Sequence, residues 1–101
     1  MTTLPPLELL VTGDRVTIPV PVAPPVLRGS ATACLSASRG GPAVAPALER
    51  TLVWQRGEPI PPLTLFARDL RAVWPRGGRA WLVVRYAGQL VSTSEVRVVV
   101  G

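Results

Sequence analysis

The sequence predicts an all-β domain, in which seven short strands form a two-sheet antiparallel sandwich with one short helical crossover. Three observations lead to this prediction. Several stretches alternate apolar and polar residues with a period of two, which is typical of half-buried strands. Turn signals rich in Gly and Pro separate these stretches at the intervals of about 8 to 12 residues that such folds show. Only one short stretch has helical spacing, at 68–74.

The sequence predicts a loose arm at 1–6, followed by a single domain over 7–101. Four strands are expected in the first half of the chain, with alternating apolar residues turned inward. They cover 7–12, 15–22, 27–38 and 48–56. In the third strand, Leu27, Ala31, Ala33 and Leu35 form the expected inward set, and in the fourth Leu52 and Trp54 do.

Two prolines mark the second strand as an edge. Pro19 and Pro21 occupy alternate positions, so both remove N–H donors from the same side of the strand. An edge of this kind cannot recruit another strand. The alternative is that this segment is a rigid extended arm that docks on a neighbouring molecule.

The helical crossover is expected between a strand at 63–66 and the final hairpin. The proline-rich segment 57–62 before it cannot be a central strand. Asp69 is the expected helix cap, and Pro75 with the following glycines ends the helix. The predicted crossover therefore covers one or two turns at 68–74.

The final hairpin, over 79–100, carries the clearest pattern in the chain. The expected core-facing sets are even-numbered on both sides of the Gly88 break, namely Ala80, Leu82, Val84 and Tyr86, then Val96, Val98 and Val100. Opposite residues of an antiparallel pair share a face, so a connection of odd length keeps both apolar sets in the core. The pattern therefore excludes a two-residue turn, which would place one set in water.

The composition argues against an enzyme. The chain has 101 residues, a formal net charge of +5, one cysteine and no histidine. An internal disulfide, a cysteine metal cage and the commonest general base are thereby excluded, and the six carboxylates form no close motif. We expect no cofactor, no bound metal and no small-molecule substrate. No run approaches the ~18 apolar residues of a membrane span, and the N-terminus lacks the pattern of a signal peptide.

Aromatic and arginine side chains are the candidate binding residues. Trp81, Arg85 and Arg97 should share the outward face of the hairpin, where an aromatic ring with arginines can stack bases and hold phosphates. The competing interpretation is that Trp81 shields the sheet and stacks on Arg97. Glu95 on the same face would repel phosphate, which favours the second interpretation. Trp74 is either a partner anchor or core beneath the crossover.

In the second half of the chain, an apolar strand and a helical crossover over 62–74 are followed by two strands. Leu82, Val84 and Tyr86 alternate in the first, Ser94, Val96 and Val98 in the second, and Trp54 lies in the fourth predicted strand. Over roughly 48–100 this pattern resembles bacterial and phage immunoglobulin-like domains, and Trp54 resembles the tryptophan often found on the third strand of that group. The resemblance implies a fold, and it implies attachment to virion surfaces through loops or arms.

These observations lead to one leading hypothesis and two alternatives. The leading hypothesis is a non-catalytic structural module of a phage virion, such as a capsid decoration or tail accessory protein, made in the host cytoplasm and bound to a large protein assembly. The first alternative is an immunoglobulin-like spacer or adhesion module of a bacterial surface or secreted protein. The second is a small basic nucleic-acid-binding protein. Pro19, Pro21, Trp74, Trp81, Arg85 and Arg97 are the expected partner-binding residues.

Overall fold

Seven strands, one α-helix and one short 3-10 helix are present in the computed structural model, which describes residues 7–24 and 26–100. The strands are β1 Leu7–Val11, β2 Arg15–Ile18, β3 Gly29–Ser36, β4 Glu49–Trp54, β5 Leu63–Phe66, β6 Gly78–Tyr86 and β7 Gln89–Val100. The helix α1, Ala67–Val73, connects β5 to β6, and a 3-10 turn at Pro46–Leu48 precedes β4. The predicted arm at 1–6 lies outside the described residues.

The strands form a five-stranded sheet in the order β1-β7-β6-β3-β4 and a two-stranded sheet of β2 and β5. In the larger sheet β1 runs parallel to β7, with Leu7 opposite Val96 and Val11 opposite Val100. The prediction of a wholly antiparallel fold is therefore wrong at this edge. Parallel neighbours need a long connection, and here almost the whole chain lies between the two strands.

One hydrophobic cluster unites the two sheets, because buried residues of both contribute to it. Alternation determines which residues these are. The buried residues include Val16 and Ile18 of β2, and the predicted inward residues Ala31, Ala33, Leu35, Leu52 and Trp54 of β3 and β4 are confirmed. The exception is Leu27, which is 67% exposed. The chain bends at 26–28, and β3 begins only at Gly29. In this bend the Val26 carbonyl accepts a hydrogen bond from the Trp54 indole Nε1 at 2.8 Å.

The strand β2 is an edge strand, as predicted, but it is shorter than the alternation suggests. It pairs with β5 from Arg15 to Ile18 and ends where Pro19 begins. Proline has no N–H to continue the ladder. Beyond that point the chain leaves the sheet, although Val20 and Val22 still pack, partly buried, against the core.

The hairpin of β6 and β7 turns through two residues, Ala87 and Gly88, whose φ angles are 50° and 78°. Positive φ at both positions is what a type I′ turn requires. The prediction that excluded a two-residue turn is therefore wrong.

A β-bulge reconciles this short turn with the even-numbered core. Arg85 lies opposite Leu90, but Val84 lies opposite Ser92, so Val91 is an extra residue in β7. One extra residue reverses the parity that the turn imposes. Ala80 consequently lies opposite Val96, and both are buried.

The helix α1 begins without a side-chain cap. Asp69 lies in its first turn and does not bond to the N-terminal N–H groups, so the prediction that Asp69 caps the helix is wrong. The N–H of Ala67 instead donates to the Asp14 carbonyl at 2.8 Å. This bond ties the helix to the turn between β1 and β2, and it satisfies one of the donors that a helix start leaves open.

Candidate functional site

Three of the six predicted binding residues lie on one surface, the outward face of the five-stranded sheet, here called the large-sheet face. Trp81 and Arg85 alternate outward along β6. Arg97 of β7 lies opposite Arg79 of β6, which is on the same side of the strand as Trp81. Arg97 therefore also points outward. The prediction that Trp81, Arg85 and Arg97 share a face is confirmed.

A loop covers the centre of the large-sheet face. This segment, 37–45, is called the strap. The Arg85 guanidinium donates through Nη2 to the Gly40 carbonyl at 2.6 Å, and the Gly40 N–H donates to Thr93 Oγ1 at 3.0 Å. At the strap's far end the Val44 N–H donates to the Leu35 carbonyl at 3.1 Å. Arg85 therefore fastens the strap to β6.

Two glycines allow the strap to lie this close to the sheet. Gly40 has a φ of 66°, a conformation that other residues adopt at a cost. A Cβ atom on Gly41 would collide with the hydroxyl oxygens of Ser38 and Ser36. Ser36 is itself buried and its Oγ accepts from the Ser38 N–H at 3.2 Å. The strap is thus closely fitted, with little space for added atoms.

Beneath the strap, Cys34 and Val83 point away from the core and are nevertheless only 5% and 1% exposed. Burial raises the pKa of the Cys34 thiol, and the nearby Glu49 carboxylate raises it further, while Arg85 acts in the opposite direction. A buried thiol with a raised pKa is held in its protonated form, which is the unreactive one.

Trp81 lies beside the strap and is half-buried. The Arg39 guanidinium carbon is 5.7 Å from the centroid of its indole ring. The expected stack of Trp81 on Arg97 is replaced by this contact, because the residue opposite Trp81 is Glu95. Glu95 Oε1 in turn pairs with Arg79 Nε at 2.9 Å. The ring is therefore surrounded by charges of both signs.

The other three predicted residues lie elsewhere. Trp74 follows α1, is half-buried and packs against the hydrophobic core, so the core interpretation describes most of its surface. Pro19 and Pro21 are exposed in the connection between β2 and β3. These three residues do not belong to the large-sheet face.

Sequence reasoning missed a second cluster, on the outward face of the two-stranded sheet. Phe66, at the end of β5, lies opposite Arg15 of β2 and is 37% exposed. The guanidinium carbons of Arg15 and Arg68 are 5.6 and 5.1 Å from its ring centroid. Alternation alone points Arg15 and Phe66 outward, but only the pairing of β2 with β5 reveals that they meet.

Within 7–24 and 26–100, no group of three or more His, Cys, Asp or Glu residues is placed to hold a metal ion. In the same part of the chain, no helix has the length and apolar character needed to cross a membrane. No protein-family model, curated protein or solved structure matches the chain.

Proposed function

We propose that the chain is a non-catalytic interaction module with an immunoglobulin-like arrangement of strands. The sheet order supports this proposal. In immunoglobulin sandwiches the second and fifth strands, B and E, share one sheet, and the strands C, F and G form the other. Here β2 and β5 form the small sheet, while β3, β6 and β7 are neighbours in the large one.

The observation that carries the proposal is the surroundings of Trp81. An indole ring lies half-exposed on an outward sheet face, with Arg39 over it and the Arg79–Glu95 pair beside it. Trp and Arg are the residue types most enriched among interface residues that dominate binding energy. Trp81 is the anchor in this proposal, and the surrounding charges fix the orientation of a protein partner.

Most concretely, the module is a virion component, a capsid decoration or tail accessory protein. Its core forms from both sheets without a disulfide, since the single cysteine is buried as a free thiol. A symmetric shell presents the same site many times, and each copy of the module would occupy one such site through the half-exposed Trp81 ring.

The test is co-sedimentation with native particles purified from the natural source. The wild-type chain is expected to sediment with a large assembly at fixed stoichiometry, and Trp81→Ala to remain largely in the supernatant. Leu27→Ala is the matched control, because it also truncates an exposed apolar side chain but lies off the large-sheet face. A wild-type chain that stays in the supernatant as a free monomer of 10.7 kDa contradicts the virion proposal.

One observation favours the spacer alternative. Because β1 runs parallel to β7, Leu7 and Val100 lie at opposite ends of that strand pair. A chain that enters at one end and leaves at the other can be linked head to tail with copies of itself. A tandem fusion of two copies is then expected to scatter X-rays as an extended rod, and a compact particle would count against the spacer role.

The nucleic-acid alternative has less support on this face. Glu95 lies directly opposite Trp81, and Glu8 lies beside Arg97 in the register of β1 with β7. Carboxylates in these positions repel phosphate. Retention on heparin with a steep dependence on salt is the result that would favour it.

A further inference from the structure

The outward side of the two-stranded sheet, here called the small-sheet face, is built differently from the rest of the surface. Its residues are Arg15 and Thr17 of β2 and Thr64 and Phe66 of β5, all exposed. The opposite side of the same strands is buried in the core. The face is therefore held rigidly from behind while its own side chains remain at the surface.

Phe66 positions two guanidinium groups. Arg15 and Arg68 lie over its ring at 5.6 and 5.1 Å, within the range of a cation–π contact. Among the described residues neither guanidinium donates a hydrogen bond to the protein, and the only ion pair is a 3.9 Å contact from Arg68 to Asp69. A guanidinium held over a ring keeps its in-plane N–H donors directed outward.

Two adjoining concavities share Arg15 and Phe66. The larger, of about 340 Å³, is also lined by Asp14, Arg68 and Arg71. The smaller, of about 200 Å³, is also lined by Arg50, whose Nη1 is held by the carbonyls of Ala47 and Glu49 at 2.8 Å each. Together they present four arginines and one carboxylate. The residues that line the concavities therefore carry a net charge of +3, or +2 when the Asp69 carboxylate beside Arg68 is included.

The backbone fixes the relative positions of these groups. The Asp14 carbonyl accepts the N–H of Ala67 at 2.8 Å, which joins the turn before Arg15 to the helix start before Arg68. The backbone segments that carry the two arginines and Phe66 are therefore joined. Such preorganisation lowers the entropy lost when a ligand binds.

We propose that the small-sheet face binds the carboxylates of an acidic segment in a protein partner. Arginine forks match carboxylates in a bidentate geometry, and the two concavities offer two places for such groups. The proposal concerns a surface separate from Trp81, and it does not depend on the proposed function of the large-sheet face.

Two features favour an acidic peptide over nucleic acid. Two guanidiniums already contact the ring of Phe66, so a stacking base would have to displace them. Strands of four residues span about 13 Å, which is short for the roughly 6 to 10 phosphate contacts of a typical DNA-binding protein.

The probe is a fluorescein-labelled peptide of alternating Asp and Glu, titrated with the full chain while fluorescence anisotropy is recorded. The double variant Arg15→Ala/Arg68→Ala is expected to weaken binding by about tenfold or more. Arg28→Ala/Arg56→Ala is the matched control, because it removes the same charge from two exposed loop positions. It is expected to change affinity by no more than about twofold, through net charge alone.

Phe66→Leu separates preorganisation from charge. It keeps every arginine but removes the ring, and we expect binding about threefold to fivefold weaker. Circular dichroism melts confirm that each variant is folded. Equal losses in the two double variants would overturn the proposal, as would the absence of saturable binding by the wild type. Tighter, Arg15-dependent binding of a single-stranded DNA of equal charge would overturn the choice of an acidic peptide.

Discussion

The arginine that holds the strap and the two arginines that contact Phe66 are used in opposite ways. On the large-sheet face, Arg85 donates to the Gly40 carbonyl, and its charge serves to fasten the strap over Cys34. On the small-sheet face, Arg15 and Arg68 rest on Phe66 and donate to no protein acceptor among the described residues. An arginine bonded to backbone stabilises the fold, whereas one held by an aromatic ring remains able to bind a partner. Substituting Arg85 should therefore cost stability, whereas substituting Arg15 or Arg68 should cost binding of an acidic partner.

The largest effect is expected from adding atoms under the strap. Gly41→Val places a branched side chain against the hydroxyls of Ser38 and Ser36, so these hydroxyls must rotate or the strap must shift from the sheet. We expect a loss of about 2 to 3 kcal/mol in the free energy of unfolding, measured with urea. The matched control is Ala37→Val, which enlarges an exposed residue of the same strap, and a change within about 0.5 kcal/mol is expected for it. Equal losses would mean that the strap is not closely packed.

Two arginines of the same face provide the next comparison. Arg85→Ala removes the donor to Gly40 and should cost about 1 to 2 kcal/mol of stability. Arg97→Ala removes an exposed guanidinium for which no hydrogen bond to the described residues is present, and should cost less than about 0.5 kcal/mol. Labelling of Cys34 by iodoacetamide, followed at a pH where the thiolate is populated in both proteins, should be faster in Arg85→Ala. A larger loss for Arg97→Ala would reverse the roles assigned here.

The Cys34 thiol reports on the strap through pH. Burial and Glu49 raise its pKa, so the folded state holds this proton more tightly than the unfolded chain does. The resulting stabilisation is complete below the ordinary thiol pKa and is lost as the pH rises through the raised value. Between about pH 8 and pH 10, the wild type should therefore lose stability more steeply than Cys34→Ala does.

Glu49→Gln sharpens the same test. Removing that carboxylate takes away one of the two causes that raise the Cys34 pKa, so thiolate absorbance should appear at lower pH than in the wild type. Glu58→Gln, a carboxylate in the exposed loop after β4, is the control and should leave the titration unchanged. An identical shift in both variants would indicate an effect of net charge and not of the local contact.

The smallest stability effects are expected on the small-sheet face. Arg15→Ala removes one exposed cation–π contact and Phe66→Leu removes two, and each substitution should lower the free energy of unfolding by no more than about 0.5 to 1 kcal/mol. Thermal melts measure this directly. A loss as large as that of Gly41→Val would show that the cluster is part of the fold's support, and the contrast between the two faces would fail.

Sequence reasoning was accurate where a pattern is local. Alternation located the strand β5 and the buried residues of β6. The helical spacing of apolar residues at 68–74 located α1 to within one residue at each end. It failed where a distant contact decides. The edge pairing of β1 with β7 has no local signature, and the bulge at Val91 is visible only once the two-residue turn is known.

The candidate sites divide in the same way. Parity was enough to place Trp81, Arg85 and Arg97 on one face, because all three lie on one predicted hairpin. The strap was missed because its bonds run from Gly40 to Thr93 and Arg85, far along the chain. The Phe66 cluster was missed for a similar reason, since β2 and β5 are separated by two intervening strands in sequence.

The central claim is that the arginines beside Phe66 bind an acidic segment of a partner, while Arg85 and the strap stabilise the fold. The most direct test is a titration of isotope-labelled protein with the acidic peptide, followed by amide chemical shifts in NMR. We predict shifts that concentrate at Arg15, Phe66, Arg68 and Arg71, with the amides of Gly40 and Thr93 unmoved. Shifts centred on Gly40, Thr93 and Trp81, with none at Phe66, would contradict the claim.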